Sequence, residues 1–331
     1  MNPLNHTQRV LITTIPFGKV NPRPIELLEK TPNVEYVINP IGRKLKAFEL
    51  RELIEDFDIV IAGTEPITSE VLDNGKRLKL ISRVGIGLDS VDLLKARELG
   101  ITVCYTPDAP APAVAELTIG HMLNLLRYIP LVDRKLRSGI WQRYTGKLLS
   151  NQVVGIRGVG RVGSRVLKHL QGFNPAKILV HDIKPNHDLY HRYNAKLVDE
   201  ETLFRESDIL TLHVPLTKQT KSMVTERELR MMKRNSYLIN TSRGGIVDEH
   251  DLYHALKEKI IAGAAIDVFE EEPYSGSLTE LENCFFSCHM GSMTEDCRAR
   301  MEIEATEEAL RFIKGEDLQQ IVPEEEYSNR L

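Results

Sequence analysis

The sequence lacks the features that would place the protein in a membrane or on a nucleic acid. Its 331 residues contain no stretch of about 18 consecutive apolar residues, the length that a membrane-spanning helix needs. Lysine and arginine form no long run and the formal net charge is -4, so we expect nucleic acid not to be a primary partner. The N-terminal stretch has neither the charged nor the apolar region of a signal peptide, and we expect a cytoplasmic protein.

Aromatic residues and cysteines are also scarce. Aromatics make up 6%, while glycine and proline are not enriched enough to indicate disorder. Free thiols are expected for the four cysteines, which are Cys104, Cys284, Cys288 and Cys297. Two of them lie close to His289, but they bracket Phe285–Phe286 as in a buried strand, and no second ligand pair has the spacing of a zinc site. We therefore predict no metal site.

The sequence does contain a regular alternation of short β-branched runs with helical segments. Eleven runs are predicted strands: Val10–Ile15, Val34–Asn39, Asp58–Gly63, Leu78–Val84, Ile101–Tyr105, Val153–Arg157, Lys177–Asp182, Asp208–Val214, Tyr237–Thr241, Ala264–Phe269 and Cys284–Cys288. Most are nearly continuous apolar runs, which is typical of parallel sheets covered by helices on both faces. Helices are predicted between them, for example at Pro24–Lys30, Gly163–Leu170 and Asp248–Glu258. The pattern predicts a doubly wound α/β fold.

Two domains are expected, because about eleven strands exceed a comfortable single open sheet. Prolines cluster near residues 105–112, so we predict one domain of residues 1–104 plus 293–331 and a second domain of residues 105–292. The long amphipathic helix Thr294–Lys314 could return to the first domain. The segment Ala113–Arg127 is apolar on almost every side, which predicts a helix between the domains or in a subunit interface.

A glycine-rich turn gives the strongest single signal. Gly158, Gly160 and Gly163 form G-x-G-x-x-G between the predicted strand Val153–Arg157 and a helical pattern. The first glycine allows a tight turn, the second allows close approach of a pyrophosphate, and the third lets helix pack on strand. An anion there would meet free N–H groups at the positive end of a helix. The alternative is a glycine-rich turn in an unrelated α/β protein.

An acid follows at the spacing expected for binding an adenosine ribose. Asp182 ends the next predicted strand, nineteen residues after Gly163. A carboxylate at this point would repel a 2′-phosphate, so the sequence favours NAD over NADP. Arg157 fits this turn badly, because a guanidinium at the end of a buried strand needs a partner or access to solvent.

Three further strands end in charged groups. Tyr237–Asp248 includes Arg243 and two glycines, Ala264–Pro273 ends in an acidic cluster and a proline, and Phe286–Gly291 contains His289. Each charged group follows the carboxyl end of a strand, where open α/β sheets bind ligands. Taken singly, each could be an ordinary surface or strand-end residue.

These motifs, in this order and over nearly the whole chain, resemble the D-isomer-specific 2-hydroxyacid dehydrogenase family, most of all its phosphoglycerate dehydrogenase branch. Further matching stretches are Ile67–Thr68, Leu80–Asp89, Val114–Thr118 and His213–Thr217. The resemblance implies that residues 1–104 plus 293–331 form a flavodoxin-like substrate domain and that residues 105–292 form a Rossmann domain that binds NAD.

By this resemblance the catalytic residues are Arg243, Glu272 and His289, the glutamate being the one directly before Pro273. A guanidinium can hold the carboxylate of a 2-keto acid and polarise its carbonyl. An imidazolium can supply the proton that the carbonyl oxygen needs after hydride transfer. A neighbouring carboxylate would orient the imidazole ring and favour its charged form.

The resemblance also implies the remaining contacts. Backbone N–H groups of the loop Arg83–Gly87 would receive the substrate carboxylate, and Arg83 could meet a substrate phosphate or form a salt bridge. Substrate contacts are thus predicted for Arg83, Val84 and Gly85. Cofactor contacts beyond the glycines and Asp182 are predicted for Arg161, Val162, Ile183, His213, Val214, Pro215, Thr220, Thr241, Asp267 and Gly291.

The implied activity is NAD-dependent interconversion of a small D-2-hydroxy acid and its 2-keto acid. The leading substrate is 3-phosphoglycerate or its keto partner, and glycerate or glyoxylate is the alternative. Ser90 replaces a common asparagine, and Ala62–Glu65 lacks an arginine of some phosphoglycerate enzymes, which weakens the phosphate case. We also expect a homodimer through Ala113–Arg127. An NAD-sensing, co-repressor-like interaction protein is the rival function, and the complete Arg–Glu–His set favours the enzyme.

Overall fold

The computed structural model describes residues 7–328, which form two compact units. Unit 1 contains the described residues up to Pro110 and those from Met293 onward, and unit 2 contains Ala111–Ser292. The division lies later than the predicted boundary at residues 104/105. The reason is local: Tyr105 is the last residue of a unit 1 strand, and the next N–H, that of Thr106, donates to the carbonyl of Gly85 at 3.1 Å.

Unit 1 is built on a five-stranded parallel sheet. Its first elements are β1 Gln8–Ile12, α1 Arg23–Glu29, β2 Val34–Ile38, α2 Ala47–Leu53, β3 Ile59–Ala62, α3 Ser69–Asn74, β4 Leu80–Arg83, α4 Leu93–Glu98 and β5 Thr102–Tyr105, with a 3-10 turn at Ile54–Asp56. The strand order β2-β1-β3-β4-β5 is the flavodoxin-like order. Apolar residues such as Leu11, Val60 and Ile81 are fully buried beneath the helices, which explains the continuous apolar strands.

Unit 2 is built on a seven-stranded parallel sheet. Its elements are α5 Ala111–Arg127, α6 Ile129–Arg137, β6 Val153–Arg157, α7 Arg161–Leu170, β7 Lys177–His181, α8 His187–Arg192, β8 Ala195–Leu197, α9 Glu200–Glu206, β9 Ile209–Leu212, α10 Glu226–Met231, β10 Tyr237–Asn240, α11 Glu249–Lys257, β11 Gly263–Ile266 and β12 Cys284–Phe286, with 3-10 turns at Leu149–Asn151 and Ser277–Glu280. The strand order is β12-β11-β10-β9-β6-β7-β8. The chain builds outward from β6 to one side through β7 and β8 and to the other through β9, as in a Rossmann sheet. The predicted fold class is confirmed.

The chain returns to unit 1 through α12 Glu295–Lys314, and α13 Glu324–Ser328 follows. Thr294 caps α12 by accepting from the N–H of Cys297 at 3.2 Å, and Gly315 ends it in the left-handed conformation. The hydroxyl of Ser82 in β4 donates to the carbonyl of Ala305 at 2.7 Å, which fixes α12 against the sheet.

Helix α5 packs within unit 2, against α7, β10 and β11. Ala115, Met122 and Leu126 on this helix are fully buried there, so much of the apolar surface that predicted an interface position is used inside the unit. Within residues 7–328, no helix is both long and apolar enough to cross a membrane.

Candidate active site

The glycine-rich turn joins β6 to α7 at the carboxyl end of the sheet. Gly158 has a φ of +88°, and a Cβ there would lie 2.5 Å from the carbonyl oxygen of His213. A Cβ at Gly163 would lie 2.0 Å from the carbonyl oxygen of Gly158, whereas one at Gly160 would meet no atom within 4 Å. The outer glycines therefore serve close packing, and the middle one borders open space.

This turn fits a pyrophosphate. No side chain caps α7 at Gly160, so the positive end of a ten-residue helix begins beside the open space over that glycine. Arg161 and Val162, both predicted to contact the cofactor, form the first two positions of this helix. The donor set and the space together are what a dinucleotide phosphate requires.

Asp182 follows β7 and closes the same turn. Its carboxylate accepts from the backbone N–H of Val159 at 2.6 Å and from that of Lys184 at 2.8 Å. The adjoining Ile183 is 82% exposed. Asp182 thus contacts the glycine-rich turn directly, in the position from which a carboxylate can bind ribose hydroxyls.

Arg157, which fitted the sequence motif badly, has a partner from a distant element. Its Nε donates to a carboxylate oxygen of Glu200 at 3.0 Å, and Glu200 lies in the first turn of α9. The glutamate is about half exposed, so the guanidinium is neutralised by an acid that stays in contact with solvent.

The segment after β9 packs against the glycine-rich turn. The N–H of His213 donates to the carbonyl of Arg157 at 2.8 Å, and Val214 is buried against Gly158. The hydroxyl of Thr220 donates to the carbonyl of Pro215 at 2.6 Å, which closes this loop. Removal from solvent lowers the pKa of His213, so its imidazole stays neutral.

Glu272 and His289 form a hydrogen-bonded pair. The Nδ1 of His289 lies 2.8 Å and 3.1 Å from the two carboxylate oxygens of Glu272. The carboxylate also accepts from the N–H of Phe269 at 3.1 Å. Both side chains retain substantial exposure, so a ligand can reach them. His289 has a φ of +51°, a left-handed conformation that few residues other than glycine adopt easily.

Asp267, predicted to lie near the nicotinamide, holds the backbone that carries His289. Its carbonyl accepts from the N–H of His289 at 2.7 Å. Its carboxylate accepts from the N–H groups of Met290 at 2.8 Å and Gly291 at 3.0 Å, and from the hydroxyl of Ser287 at 2.5 Å. The carboxylate itself is buried, and these donors replace the water it has lost.

Arg243 lies in the loop after β10. The side-chain amide of Asn240 donates to the carbonyl of Arg243 at 2.9 Å, and one guanidinium N–H donates to the carbonyl of Ser242 at 2.6 Å. The hydroxyl of Thr241 lies 2.9 Å from that of Thr118 on α5. These contacts anchor the loop at the same sheet edge as Glu272 and His289, because β10, β11 and β12 are neighbouring parallel strands.

The candidate substrate residues Arg83, Val84 and Gly85 belong to unit 1. Arg83 is buried and its guanidinium donates to the carbonyl of Val84. The N–H of Val84 donates to Ala62 at 2.9 Å and that of Gly85 to the hydroxyl of Thr106 at 2.7 Å. These two backbone donors therefore already have acceptors within unit 1.

Sequence reasoning missed three polar residues of this region: Thr118, His121 and Ser287. Thr118 and His121 lie one turn apart on α5 and are buried. Two polar residues three positions apart in a segment rich in apolar residues were a usable signal, because polar groups that become buried require partners.

The chain is similar to known proteins over most of its length. The family profile of the D-isomer specific 2-hydroxyacid dehydrogenase NAD binding domain matches residues 119–291. A glyoxylate reductase of Thermococcus litoralis is 37% identical over 303 residues, covering 88% of this chain and 91% of that protein. A D-3-phosphoglycerate dehydrogenase of Methanocaldococcus jannaschii is 36% identical over 304 residues, covering 90% of this chain and 57% of that protein.

A solved structure shares the fold over almost the full length. The glyoxylate reductase from Paecilomyes thermophila superimposes with a TM-score of 0.84 at 26% identity, covering 96% of this chain and 99% of that one. The chain therefore belongs to the D-isomer-specific 2-hydroxyacid dehydrogenase family. It is an oxidoreductase, and its cofactor is NAD.

Proposed function

We propose that the protein reduces small, unphosphorylated 2-keto acids of the glyoxylate and hydroxypyruvate type to the corresponding 2-hydroxy acids, with D configuration where C2 is a stereocentre. The observation that carries this proposal is the Glu272–His289 pair, with 2.8 Å between carboxylate oxygen and Nδ1. It stands beyond the carboxyl ends of β11 and β12, at the sheet edge where α/β enzymes bind ligands.

The pair is suited to deliver a proton. Because Nδ1 of His289 is held by Glu272, Nε2 is the nitrogen that can face a substrate oxygen. Bound NADH supplies the hydride for such a reduction. His289 then gives the proton from Nε2 to the carbonyl oxygen, and the Glu272 carboxylate stabilises the imidazolium and orients the ring.

Arg243 is proposed to hold the substrate carboxylate. A guanidinium binds a carboxylate through two parallel hydrogen bonds, which fixes the adjoining carbonyl in one orientation. The loop Arg83–Gly85 stays a prediction from family resemblance, as does the assignment of unit 1 as the substrate domain.

Two features of unit 1 favour an unphosphorylated acid. Arg83 is buried and its guanidinium donates to the carbonyl of Val84, so little of this guanidinium is exposed to a substrate phosphate. The loop Ala62–Glu65 contributes a buried acid, whose carboxylate accepts from the N–H of Gly63 at 2.9 Å and from the hydroxyl of Thr13. The name of the Thermococcus litoralis relative points the same way, while 3-phosphohydroxypyruvate is the second candidate.

NADH oxidation should be measured with glyoxylate, hydroxypyruvate and 3-phosphohydroxypyruvate at matched concentrations. We expect the two unphosphorylated acids to give the higher kcat/KM. A preference for the phosphorylated acid would reverse the choice of substrate and leave the chemistry intact. Tight NADH binding without turnover on any of the three would instead support an NAD-sensing interaction protein.

A homodimer is also proposed. Large apolar side chains stay exposed in the segment after α6, among them Trp141 at 81% and Leu148 at 62%. Exposed apolar residues concentrated in one segment are typical of an interface. Light scattering of the wild-type protein and of Trp141→Ala should give twice the chain mass and a lower value, respectively. A wild-type monomer would contradict the dimer. The expected cytoplasmic location stays a prediction.

A further inference from the structure

His121 is a buried histidine that the proposed chemistry does not use. It lies on α5 and is 4% exposed. Its Nε2 is 3.0 Å from the hydroxyl oxygen of Ser287, while its Nδ1 is buried and has no hydrogen-bond partner in the described part of the chain. A buried imidazole with one unpaired nitrogen lowers the stability of the fold. The hydrogen bond of its other nitrogen therefore calls for a functional explanation.

The direction of that hydrogen bond follows from Asp267. The Asp267 carboxylate accepts from Ser287, Met290 and Gly291, which is the pattern of an ionised acid, an acceptor only. The hydroxyl of Ser287 therefore donates its only hydrogen to the Asp267 carboxylate. Its oxygen must then accept from His121, so the imidazole carries its proton on Nε2 and leaves Nδ1 bare.

The ring is held in this neutral form by its surroundings. Burial lowers the pKa of His121, and the charge of Asp267 opposes this shift only in part. A second proton would create a buried N–H at Nδ1 without an acceptor. His121 Nε2–H therefore donates to Ser287, and Ser287 O–H donates to Asp267. Hydrogen bonds aligned in one direction in this way strengthen one another.

We propose that His121 is a positioning residue for the acid–base histidine, acting through Ser287 and Asp267. Asp267, the final acceptor of this hydrogen-bond network, accepts from the N–H of His289 through its carbonyl. Its carboxylate accepts from the N–H groups of Met290 and Gly291. His289 itself has a left-handed backbone conformation, which persists only where surrounding contacts fix it. This inference rests on the proposed role of His289.

The arrangement is specific to these side chains. A leucine at position 121 would fill similar volume without a donor, and an alanine at position 287 would cut the chain at its centre. A glutamine at position 121 can place an amide N–H near the position of Nε2, and a threonine at position 287 keeps the hydroxyl. The four variants separate loss of hydrogen bonding from loss of packing.

The test measures kcat, KM and NADH affinity for His121→Leu, Ser287→Ala, their double variant, His121→Gln and Ser287→Thr. We expect kcat to fall about fivefold to tenfold in each disrupting single variant, with a smaller change in NADH Kd. The double variant should be no slower than the worse single one. His121→Gln and Ser287→Thr should recover most of kcat. An unchanged kcat, or losses that multiply in the double variant, would overturn the proposal.

Hydrogen exchange supplies a readout that does not depend on the substrate. Amides of His289, Met290 and Gly291 should exchange faster in His121→Leu and Ser287→Ala than in the wild type. The matched control Met122→Leu changes the fully buried neighbour on α5 and should leave both kcat and exchange unchanged. Faster exchange without turnover on any keto acid would refute the proposed function and support the positioning network, whereas unaltered exchange would refute the network.

Discussion

Gly244 lies against the carbonyl of Phe269 so closely that a Cβ at position 244 would be 1.9 Å from that oxygen. Gly244 directly follows Arg243, and Phe269 lies in the loop that contains Glu272. The loops after β10 and β11 are thus locked backbone to backbone. Because Gly244 has no side chain, the loop that carries Arg243 packs directly against the loop that carries Glu272.

Replacing this glycine should therefore lower the stability of unit 2 and also impair catalysis. In Gly244→Ala the two loops must separate, and a displacement of about 1 Å can cost about 10²-fold in rate. We expect kcat to fall by that order while NADH Kd changes little. Gly172→Ala is the control, since its Cβ would meet only the carbonyl of His169 at 3.6 Å. Equal kcat in both variants would contradict the coupling of the loops.

The acid–base role of His289 is best tested with a residue that tolerates its backbone. Asparagine adopts a positive φ more readily than alanine, so His289→Asn preserves the loop and removes the proton donor. We expect kcat to fall about 10²- to 10⁴-fold with NADH affinity nearly unchanged. Glu272→Gln should give a smaller loss, because the ring keeps a hydrogen-bond acceptor but loses the charge. A large loss of NADH binding in His289→Asn would remove the residue from its assigned role.

The glycines of the nucleotide turn should separate stability from binding. Gly163→Ala forces a Cβ to 2.0 Å from the carbonyl oxygen of Gly158 and should destabilise unit 2 by about 1–3 kcal/mol or more. Gly160→Ala meets no protein atom within 4 Å, so its Tm should stay near that of the wild type. Its NADH Kd should rise at least about tenfold, because the Cβ occupies the path of the pyrophosphate. Normal NADH binding by Gly160→Ala would place the phosphates elsewhere.

Asp182 should determine the choice between the two nicotinamide cofactors. Asp182→Asn keeps an oxygen that can accept from Val159 but removes the charge that repels a 2′-phosphate. We expect the ratio of kcat/KM for NADH over NADPH to fall about tenfold or more, equivalent to about 1.4 kcal/mol. A ratio equal to that of the wild type would show that the carboxylate does not face the ribose.

The sequence predicted the elements well where their signal was local. All eleven predicted strands correspond to strands of the structure, and the glycine-rich turn joins β6 to α7. The missed strand, β8 Ala195–Leu197, has three residues at the sheet edge, with Lys196 exposed. Such a short, partly exposed segment has no apolar run to reveal it.

What the sequence could not predict depends on partners far apart in the chain. Arg157 is unfavourable in its motif unless its charge is paired, and its partner, Glu200, lies in a distant helix. Asp267 was predicted as a cofactor contact, and its hydrogen bonds to Met290 and Gly291 depend on the direction of loop N–H groups that no periodicity encodes. His121 is a polar residue in a leucine-rich helix, which signals that it needs a partner, but the sequence does not show that this partner is Ser287.

The buried histidines should make stability depend on pH in a defined direction. Burial lowers the pKa of His121 in the folded protein, while the unfolded chain titrates near the ordinary value of about 6.5. Below about pH 6.5 the unfolded chain therefore binds the extra proton first, so stability is complete above that pH and falls as pH is lowered. His121→Gln removes one such group, and its unfolding free energy should fall less steeply between about pH 6.5 and 5. The slope should differ by up to about 1.4 kcal/mol per pH unit.

The burial of His213 lowers its pKa to about 3, so part of the slope should survive in this variant. Parallel curves for wild type and variant, measured by chemical unfolding at constant ionic strength, would mean that His121 binds its proton equally well in both states.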